Sequence, residues 1–375
     1  MPTNPFIFGK VVTGKYFTNR TEELRELKQD IKNHTNIILY GPRRYGKTSL
    51  IFNLFESLKN EDKDFIGVYI DFYRIYSKEK FIKIFAESTS KALDWNVSKL
   101  LDFKTILKSI VPHLTIDNEG IPTIDFTIQP TESDKLLEDV MQIPVKLANT
   151  GKIVCIAFDE FQEIKKLNGK EFQKELRSFI QLQREVSYIF SGSKTHLMKD
   201  LFTNKLNPFY NIGKIKYVNK IDSIELAEFL SRRFSETGKN LPLKTAKEIC
   251  ERCDSIPYYT QMLAYEIFNL LGDELSPTKE TIEQALELIF TNKNEEYLFI
   301  WESLSLTQKK AIEIIVKSNG ESIYSSKTLS KYQIASSTLS KAIEELKNKT
   351  IVDSKKQQLV FTDIFFKEWL IKRML

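Results

Sequence analysis

Short apolar runs alternate with amphipathic stretches in the first part of the chain. Residues 36–40, 65–71 and 152–159 are almost continuously apolar, which is typical of strands buried on both faces of a parallel sheet. Residues 187–192 and 215–218 have the same character. Between these runs, apolar side chains recur every three or four positions, as they do along one face of a helix. The alternation predicts an α/β domain built on one sheet of five strands.

A helical pattern follows the last of these runs. Four stretches with helical spacing succeed one another at residues 224–234, 243–253, 257–271 and 278–290, and they predict a compact helical domain. Three further helices are expected near residues 307–317, 325–332 and 336–347. Apolar and polar side chains then alternate over residues 350–361, as in a β-ribbon. Three helices followed by a ribbon predict a winged helix.

One segment interrupts the α/β pattern. Residues 111–129 alternate apolar and polar side chains on either side of the turn signal at residues 117–120. This predicts a β-hairpin inserted into the α/β domain.

The composition is that of a packed globular protein. The chain has 375 residues, 42% of them hydrophobic, and it contains neither an apolar run long enough to cross a membrane nor a recognisable signal peptide. We therefore expect a soluble, cytoplasmic protein with no membrane partner. Three cysteines are too few for a disulfide framework, and the pair Cys250 and Cys253 has no second pair to complete a zinc site.

The strongest chemical signal lies between the first predicted strand and the next helix. The segment matches G-x-x-x-x-G-K-[S/T], a phosphate-binding loop, in the strand–loop–helix context that this motif requires. Glycines let the backbone N–H groups converge on phosphate oxygens at the positive end of the helix. Lys47 is expected to neutralise the β- and γ-phosphates, and the Thr48 hydroxyl to ligate Mg²⁺. The residues assigned to nucleotide binding here are Gly41, Pro42, Arg43, Arg44, Tyr45, Gly46, Lys47, Thr48 and Ser49.

Two acids close the most apolar strand candidate. Asp159 and Glu160 follow it at the carboxyl edge, where a parallel sheet presents its ligand crevice. We expect Asp159 to hold Mg²⁺ through water and Glu160 to polarise the water that attacks the γ-phosphate. Glu160 and Lys47 are the predicted catalytic residues. A base positioned for water favours hydrolysis over transfer of phosphate to a second substrate.

A polar segment follows the next strand at the same edge. Residues 191–195 place hydroxyl and amine side chains there, and Ser193 is predicted to contact the γ-phosphate, with Lys194 as the second choice. A Gly-Ser turn that caps the next helix is the structural alternative.

Several stretches together resemble the archaeal-type ATPase family, one of the signal-transducing ATPases with numerous domains within the AAA+ group. The stretches that carry the resemblance are Phe17–Arg20, Gly41–Thr48, Phe158–Gln162, Ser191–Ser193, Ile256–Gln261 and Asp363–Leu370. The resemblance implies a P-loop NTPase core of the ASCE/AAA+ type, a helical lid and a C-terminal winged helix. The expected domains are residues 1–222, 223–297 and 298–375.

The resemblance also implies further nucleotide contacts. Phe17, Asn19 and Arg20 are expected near the adenine and ribose, and Pro257 is expected to approach the nucleotide from the lid. Two positions depart from the family pattern. Ser255 stands where the family usually has glycine, and residues 208–214 lack the arginine of the family's corresponding segment.

The partner of the winged helix stays open between DNA and protein. The whole net charge of +5 lies in residues 301–375, with 13 Lys or Arg and 8 Asp or Glu. An apolar stripe at residues 339, 343 and 346 leaves Ser337, Thr338, Ser340 and Lys341 facing outward on a recognition helix, and Lys355 and Lys356 lie at the ribbon tip. Residues 336–356 would meet duplex DNA through phosphate contacts. A homo-oligomer or a protein partner is the alternative.

The sequence thus favours an ATPase that uses ATP and Mg²⁺ and acts as a nucleotide-gated conformational switch through slow hydrolysis. Two alternatives remain. One is a DNA-binding regulator in which the nucleotide is structural, and the other is a small-molecule phosphotransferase that uses the same loop.

Overall fold

The computed structural model of the chain divides into two compact units. One comprises Lys10–Lys220, and the other comprises Met1–Gly9 together with Ile221–Leu375. The structure describes residues 3–92, 111–116, 122–127, 133–167, 169–355 and 358–375.

A parallel sheet organises the first unit. The strands of this unit are β1 (Ile37–Tyr40), β2 (Phe65–Asp71), β3 (Val111–Ile116), β4 (Pro122–Thr127), β5 (Ile153–Asp159), β6 (Val186–Gly192) and β7 (Lys214–Tyr217). Five of them form one sheet in the order β2-β5-β6-β1-β7, and all neighbours are parallel. The predicted α/β class and the five strands are confirmed. Because the strands are parallel, their carboxyl ends lie along one edge.

The helices of this unit connect the strands. They are α1 (Thr21–Lys32), α2 (Lys47–Glu61), α3 (Lys78–Ala92), α4 (Ser133–Ala148), α5 (Gly169–Leu182) and α6 (Thr195–Thr203). Beneath them lies an aromatic core in which Phe158 and Phe161 each contact Phe190, with ring centroids 5.9 and 4.8 Å apart. Such ring pairs contribute about 0.5–1.5 kcal/mol each beyond the burial of their area. The core fixes the end of β5, from which Asp159 projects.

The expected hairpin is present in the described strands β3 and β4. They pair antiparallel, with Val111 opposite Thr127 and Ile116 opposite Pro122. The predicted turn at residues 117–120 lies outside the described residues.

Helices dominate the second unit. They are α7 (Ser223–Ser235), α8 (Leu243–Arg252), α9 (Pro257–Leu270), α10 (Lys279–Asn292), α11 (Asn294–Glu302), α12 (Leu306–Lys317), α13 (Ser326–Lys331), α14 (Ser336–Asn348) and α15 (Ile364–Arg373), and a ribbon of β8 (Val352–Lys355) and β9 (Gln358–Phe361) precedes α15. Side chains cap several of these helices. At the start of α12, for example, the Ser305 and Gln308 side chains each bond the other's backbone.

Helix α15 packs against the helices that precede the winged helix. The ring of Phe365 lies 4.9 Å from that of Tyr259 in α9, and the Trp369 indole donates a 3.1 Å hydrogen bond to Asn294 at the start of α11. The boundary expected between residues 297 and 298 falls inside α11. The division of this unit into a lid and a winged-helix domain stays a prediction.

In the part of the chain that the structure describes, we find no helix that has both the length and the apolar character needed to cross a membrane.

Candidate functional site

The phosphate loop joins β1 to α2 with a backbone that only certain residues allow. Gly46 is left-handed, with φ 82°, and immediately precedes the 15-residue helix α2. A Cβ on Gly41 would lie 2.7 Å from the Val218 carbonyl oxygen, closer than real contacts permit. The close approach explains the first glycine of the motif, and the positive φ explains the second. The loop therefore ends at a helix N-terminus, where free N–H groups favour an anion.

Lys47 begins α2 and turns back over the loop. Its buried ammonium donates hydrogen bonds of 2.8 and 2.9 Å to the carbonyl oxygens of Gly41 and Pro42. Burial lowers the pKa of Lys47 to about 8, against the opposing effect of Glu160 and Asp159. The side chain is therefore mostly charged at neutral pH and is held at the mouth of the loop.

Thr48 and Asp159 meet although they are far apart in sequence. The Thr48 hydroxyl donates a 2.7 Å hydrogen bond to Oδ2 of Asp159, and the Glu160 N–H donates one of 3.0 Å to Oδ1. Asp159 is buried. The pair supplies hard oxygen donors, which Mg²⁺ prefers. Among the described residues no three His, Cys, Asp or Glu side chains form a metal cluster. The Thr48 hydroxyl and the Asp159 carboxylate, together with phosphate oxygens of a nucleotide, would suit such a cation.

Glu160 is held in a left-handed conformation, with φ 49°. One of its oxygens, Oε2, accepts a 2.7 Å hydrogen bond from the Ser193 hydroxyl and another from the Gln162 amide. The two predicted polar positions after β5 and β6 therefore meet at the sheet edge. Lys194, the second choice, instead pairs with Glu163 at 3.0 Å.

Arg43 extends this group of side chains from the loop. Its Nε donates a 3.5 Å hydrogen bond to the Ser193 hydroxyl, and its Nη2 donates one to the Tyr73 hydroxyl. Its side chain is exposed. The loop thus contacts the residues that hold Glu160.

Arg20 supports the loop from the other side. Its buried guanidinium donates hydrogen bonds of 3.0 Å to the Tyr45 carbonyl and 2.7 Å to the Asn219 carbonyl, and it pairs with Glu23 at 2.9 Å. Burial lowers the pKa of Arg20, and Glu23 opposes that effect. Asn19 precedes it with φ 57°. The guanidinium therefore contacts the backbone of the loop, the backbone of the segment after β7 and the Glu23 side chain.

The remaining predicted nucleotide residues occupy other positions. The Ser49 hydroxyl accepts a 3.1 Å hydrogen bond from the Val12 N–H, which fixes the chain ahead of α1 onto α2. Phe17 is half-buried and extended. Pro257 is the first residue of α9, in the second unit. The places expected for Phe17, Asn19 and Arg20 near the adenine and ribose, and for Pro257 near the nucleotide, stay predictions.

Sequence reasoning missed two side chains that contact the acids. Tyr69 donates a 2.9 Å hydrogen bond to Oδ2 of Asp159, and Gln162 binds Glu160. Burial, together with Asp159, raises the pKa of the Tyr69 hydroxyl well above its ordinary range, so that it stays a donor. Only the register of β2 against β5, in which Asp71 lies opposite Asp159, brings Tyr69 to this edge.

Helix α14, the predicted recognition helix, has the two faces that were expected. In α14, Leu339, Ile343 and Leu346 are buried. The exposed residues include Ser337, Thr338, Ser340 and Lys341. The Lys355 side chain and the whole of Lys356 lie outside what the structure describes.

Comparison with known families gives two matches along the chain. Residues 17–263 match the family described as an ATPase domain predominantly from Archaea. The chain belongs to this family. Residues 295–372 of this archaeal-type ATPase match a probable winged helix domain, in agreement with the predicted fold. It is an ATP-binding P-loop ATPase, and the family resemblance of its sequence motifs is confirmed.

Relatives of the archaeal-type ATPase include proteins of Methanocaldococcus jannaschii. One uncharacterized ATP-binding protein is 31% identical over 183 residues, which cover 45% of this chain and 47% of the relative. The chain therefore spans about half the length of that relative. It covers a similar share, 48%, of a second relative. A third is 25% identical over 345 residues, which cover 80% of this chain and 92% of the relative.

Solved structures with the same fold are more distant in sequence. The archaeal-type ATPase is similar to the Walker-type ATPase of Pyrococcus abyssi, with 22% identity, a TM-score of 0.68, and coverage of 98% of this chain and 99% of the other. The ORC2 protein of Aeropyrum pernix, in its ADPNP–ADP complexes, has 12% identity, a TM-score of 0.56, and coverage of 95% and 93%. These likenesses concern the fold alone.

Proposed function

We propose that this archaeal-type ATPase hydrolyses Mg-ATP slowly and that the nucleotide state sets the conformation of the chain. One observation carries the proposal. The Thr48–Asp159 pair and the Glu160–Ser193 pair lie at the same sheet edge as the phosphate loop, so that groups suited to hold a cation, to accept a proton and to bind phosphate lie close together. This is the set of groups that phosphoryl transfer to water needs.

Lys47 would change partners when ATP binds. The carbonyl oxygens of Gly41 and Pro42 carry only partial charges, whereas the phosphate oxygens of ATP carry formal negative charge. An ammonium exchanges the first for the second at a gain, because a formally charged phosphate oxygen adds a Coulomb attraction that a neutral carbonyl oxygen does not supply. Lys47 would then neutralise charge on the β- and γ-phosphates, where it develops during the reaction.

Thr48 and Asp159 would hold Mg²⁺. The Thr48 hydroxyl donates its hydrogen bond to Asp159, so the lone pairs of the Thr48 oxygen point away from that carboxylate. A bound Mg²⁺ would supply charge stabilisation at the phosphate oxygens. The chain's own contribution is to hold the hydroxyl and the carboxylate in one arrangement before the nucleotide arrives.

Glu160 would act as the base for the attacking water. Its Oε2 accepts two hydrogen bonds, from Ser193 and Gln162. These donors fix the direction of the carboxylate that would accept the proton of the water. The Ser193 hydroxyl has one proton, so it would donate to the γ-phosphate only by releasing Glu160, which would link the base to the state of the nucleotide.

The switch has a structural basis in the end of the sheet unit. Gly41 approaches the Val218 carbonyl, and Arg20 joins the Tyr45 carbonyl to that of Asn219. The chain leaves the sheet unit one residue later, at Lys220, and enters the helical unit. A change in the loop when phosphate binds or leaves would therefore shift the segment of chain that connects the two units.

Two variants test the proposal. Lys47→Ala should bind a fluorescent ATP analogue at least tenfold more weakly, and Glu160→Gln should bind it normally while phosphate release from ATP falls a hundredfold or more. Lys59→Ala, a change on the same helix α2 beyond the loop, is the control for both. Normal turnover by Glu160→Gln would show that Glu160 is not the base. Labelled phosphate recovered on any product other than inorganic phosphate would instead support a phosphotransferase.

Duplex DNA is the second candidate ligand, and one observation favours it. Four small or basic side chains at the start of α14 are exposed while the opposite face is buried. Lys341→Glu should weaken binding of a labelled duplex at low salt and reduce its salt dependence, whereas Lys244→Glu, on the exposed face of α8, should not. Absence of duplex binding at low salt would reject this candidate and leave protein partners.

A further inference from the structure

Asp159 receives three hydrogen bonds, and one of them comes from outside every motif. Its Oδ1 accepts from the Glu160 N–H at 3.0 Å. Its Oδ2 accepts from the Thr48 hydroxyl at 2.7 Å and from the Tyr69 hydroxyl at 2.9 Å. The motif donors place one hydrogen bond on each oxygen, and each of these bonds tolerates a range of angles. The Tyr69 hydroxyl adds a second donor to Oδ2 and so narrows the orientations open to the carboxylate.

The Tyr69 hydroxyl is itself held in place by packing. Its ring lies 4.8 Å from the ring of Phe52, which belongs to α2, the helix that starts at Lys47. Its backbone lies in β2, opposite Ala157 of β5. The side chain therefore bridges the helix that carries Thr48 and the strand that carries Asp159. A rigid aromatic side chain with a single donor at its tip suits a positioning role.

We infer that Tyr69 is a positioning residue for the magnesium site: it fixes the Asp159 carboxylate in the orientation in which Asp159 and Thr48 together accept the cation that accompanies ATP. Tyr69 acts through Asp159, to which its hydroxyl donates. This inference rests on the proposed function, since it assigns a role in the same site. It predicts that loss of the hydroxyl weakens the response to Mg²⁺ and leaves nucleotide binding without the cation unchanged.

Tyr69→Phe tests the inference because it deletes the hydroxyl and keeps the ring against Phe52. The measurement is the affinity for a fluorescent, non-hydrolysable ATP analogue, first in EDTA and then across a Mg²⁺ titration. In EDTA the variant should bind as the unmodified chain does, which also shows that it is folded. The Mg²⁺ concentration at half-maximal effect should rise about tenfold, the lower end of the range for residues that orient a metal ligand.

Tyr188→Phe is the matched control. It also deletes a buried tyrosine hydroxyl from the same sheet, but that hydroxyl donates to Gln183. It should lower the unfolding temperature and leave the Mg²⁺ concentration at half-maximal effect, the Mg²⁺ midpoint, unchanged. A purely structural effect of Tyr69→Phe would resemble this control, with a lower unfolding temperature and an unchanged midpoint, and would overturn the inference.

A double-mutant cycle shows whether Tyr69 acts through Asp159. In an Asp159→Asn background, Tyr69→Phe should have no further effect on the midpoint, because the carboxylate that it orients is gone. An equal effect in both backgrounds would contradict the inference. If the unmodified chain binds the analogue equally well with and without Mg²⁺, the proposed cation site itself fails, and that result is distinct from an unmoved midpoint in Tyr69→Phe alone.

Discussion

The Arg20 guanidinium donates a 3.0 Å hydrogen bond to the Tyr45 carbonyl, inside the phosphate loop. A second bond of 2.7 Å reaches the Asn219 carbonyl. One buried side chain therefore joins the loop to the last segment of the sheet unit. Both carbonyl groups accept from the same nitrogen, Nη2, while Nη1 pairs with Glu23. A lysine keeps the charge but has a single nitrogen in place of this planar group of donors.

Arg20→Lys should destabilise the chain and loosen the loop. Hydrogen bonds to a charged group contribute about 1.5–3 kcal/mol each, so losing one of the two should cost about 2 kcal/mol of unfolding free energy. Affinity for ATP and ADP should fall, while affinity for adenosine should not. Thermal unfolding and competition against a fluorescent ATP analogue measure both effects.

Arg25→Lys is the control for this variant. Arg25 lies on α1, the helix that begins directly after Arg20, and pairs with Glu22 on the exposed surface. Exposed pairs of this kind contribute little, so the control should match the unmodified chain. If Arg20→Lys lowers the affinity for adenosine as much as the affinity for ATP, Arg20 contacts the nucleoside, as the family resemblance implies. That result would contradict a role confined to bracing the loop.

Ser193→Ala should lower turnover more than binding. The serine hydroxyl donates a 2.7 Å hydrogen bond to the proposed base, and a bond to a carboxylate contributes about 1.5–3 kcal/mol. Since about 1.4 kcal/mol is tenfold in rate, kcat should fall roughly tenfold to a hundredfold. KM for ATP should change little, because the loop backbone and Lys47 remain. Steady-state phosphate release at several ATP concentrations separates the two constants.

Ser187→Ala provides the comparison for Ser193→Ala. Ser187 lies at the other end of β6, and its buried hydroxyl donates a 3.1 Å hydrogen bond to the Ile31 carbonyl. Its loss should reduce stability and leave kcat unchanged. If both serine variants lower kcat equally, Ser193 stabilises the fold of β6 and does not act by holding Glu160.

The phosphate loop was predictable because its signal is local. Gly41, Gly46, Lys47 and Thr48 lie within eight residues, and the strand and helix on either side are determined by apolar runs that need no knowledge of the partners. The acids after β5 were predictable for a related reason. All parallel strands present their carboxyl ends at one edge, so the end of any buried strand identifies that edge.

Tyr69 was not predictable, because its role depends on pairing between distant strands. It lies 90 residues from Asp159 in sequence, and nothing within β2 distinguishes its hydroxyl from that of Tyr73. That β2 lies next to β5, and in which register, is determined by the tertiary structure and cannot be read from either strand alone. Helix α15 was missed by periodicity for a different reason. The buried side chains Phe365, Phe366, Trp369 and Leu370 share one face, but Ile364 and the exposed Ile371 place apolar side chains on the opposite side, which weakens the amphipathic pattern.

Glu368 in α15 provides a prediction about pH. Burial raises the pKa of its carboxyl, and the oppositely charged Arg252 in α8, whose Nε lies 3.9 Å away, only partly offsets this. Lys372 and Lys367 also favour the charged form, and Glu283 opposes it. Because the pKa is higher in the folded chain than in the unfolded one, the folded chain binds the proton more tightly. The resulting stability is present below the ordinary pKa of glutamate and is lost as the pH rises through the folded value.

Glu368→Gln should therefore raise the unfolding temperature at neutral pH, since an amide of the same shape avoids burying a charge. The gain should disappear as the pH falls below the ordinary pKa of glutamate, because the native carboxyl is then neutral as well. Unfolding followed from pH 4 to pH 8 measures this difference, with Glu287→Gln as the control. Glu287 is exposed and pairs with Lys372 and Arg373, which lower its pKa, so its variant should not be stabilised at pH 7. A Glu368→Gln variant that is less stable at pH 7 would show that attraction to Arg252 outweighs the cost of burial.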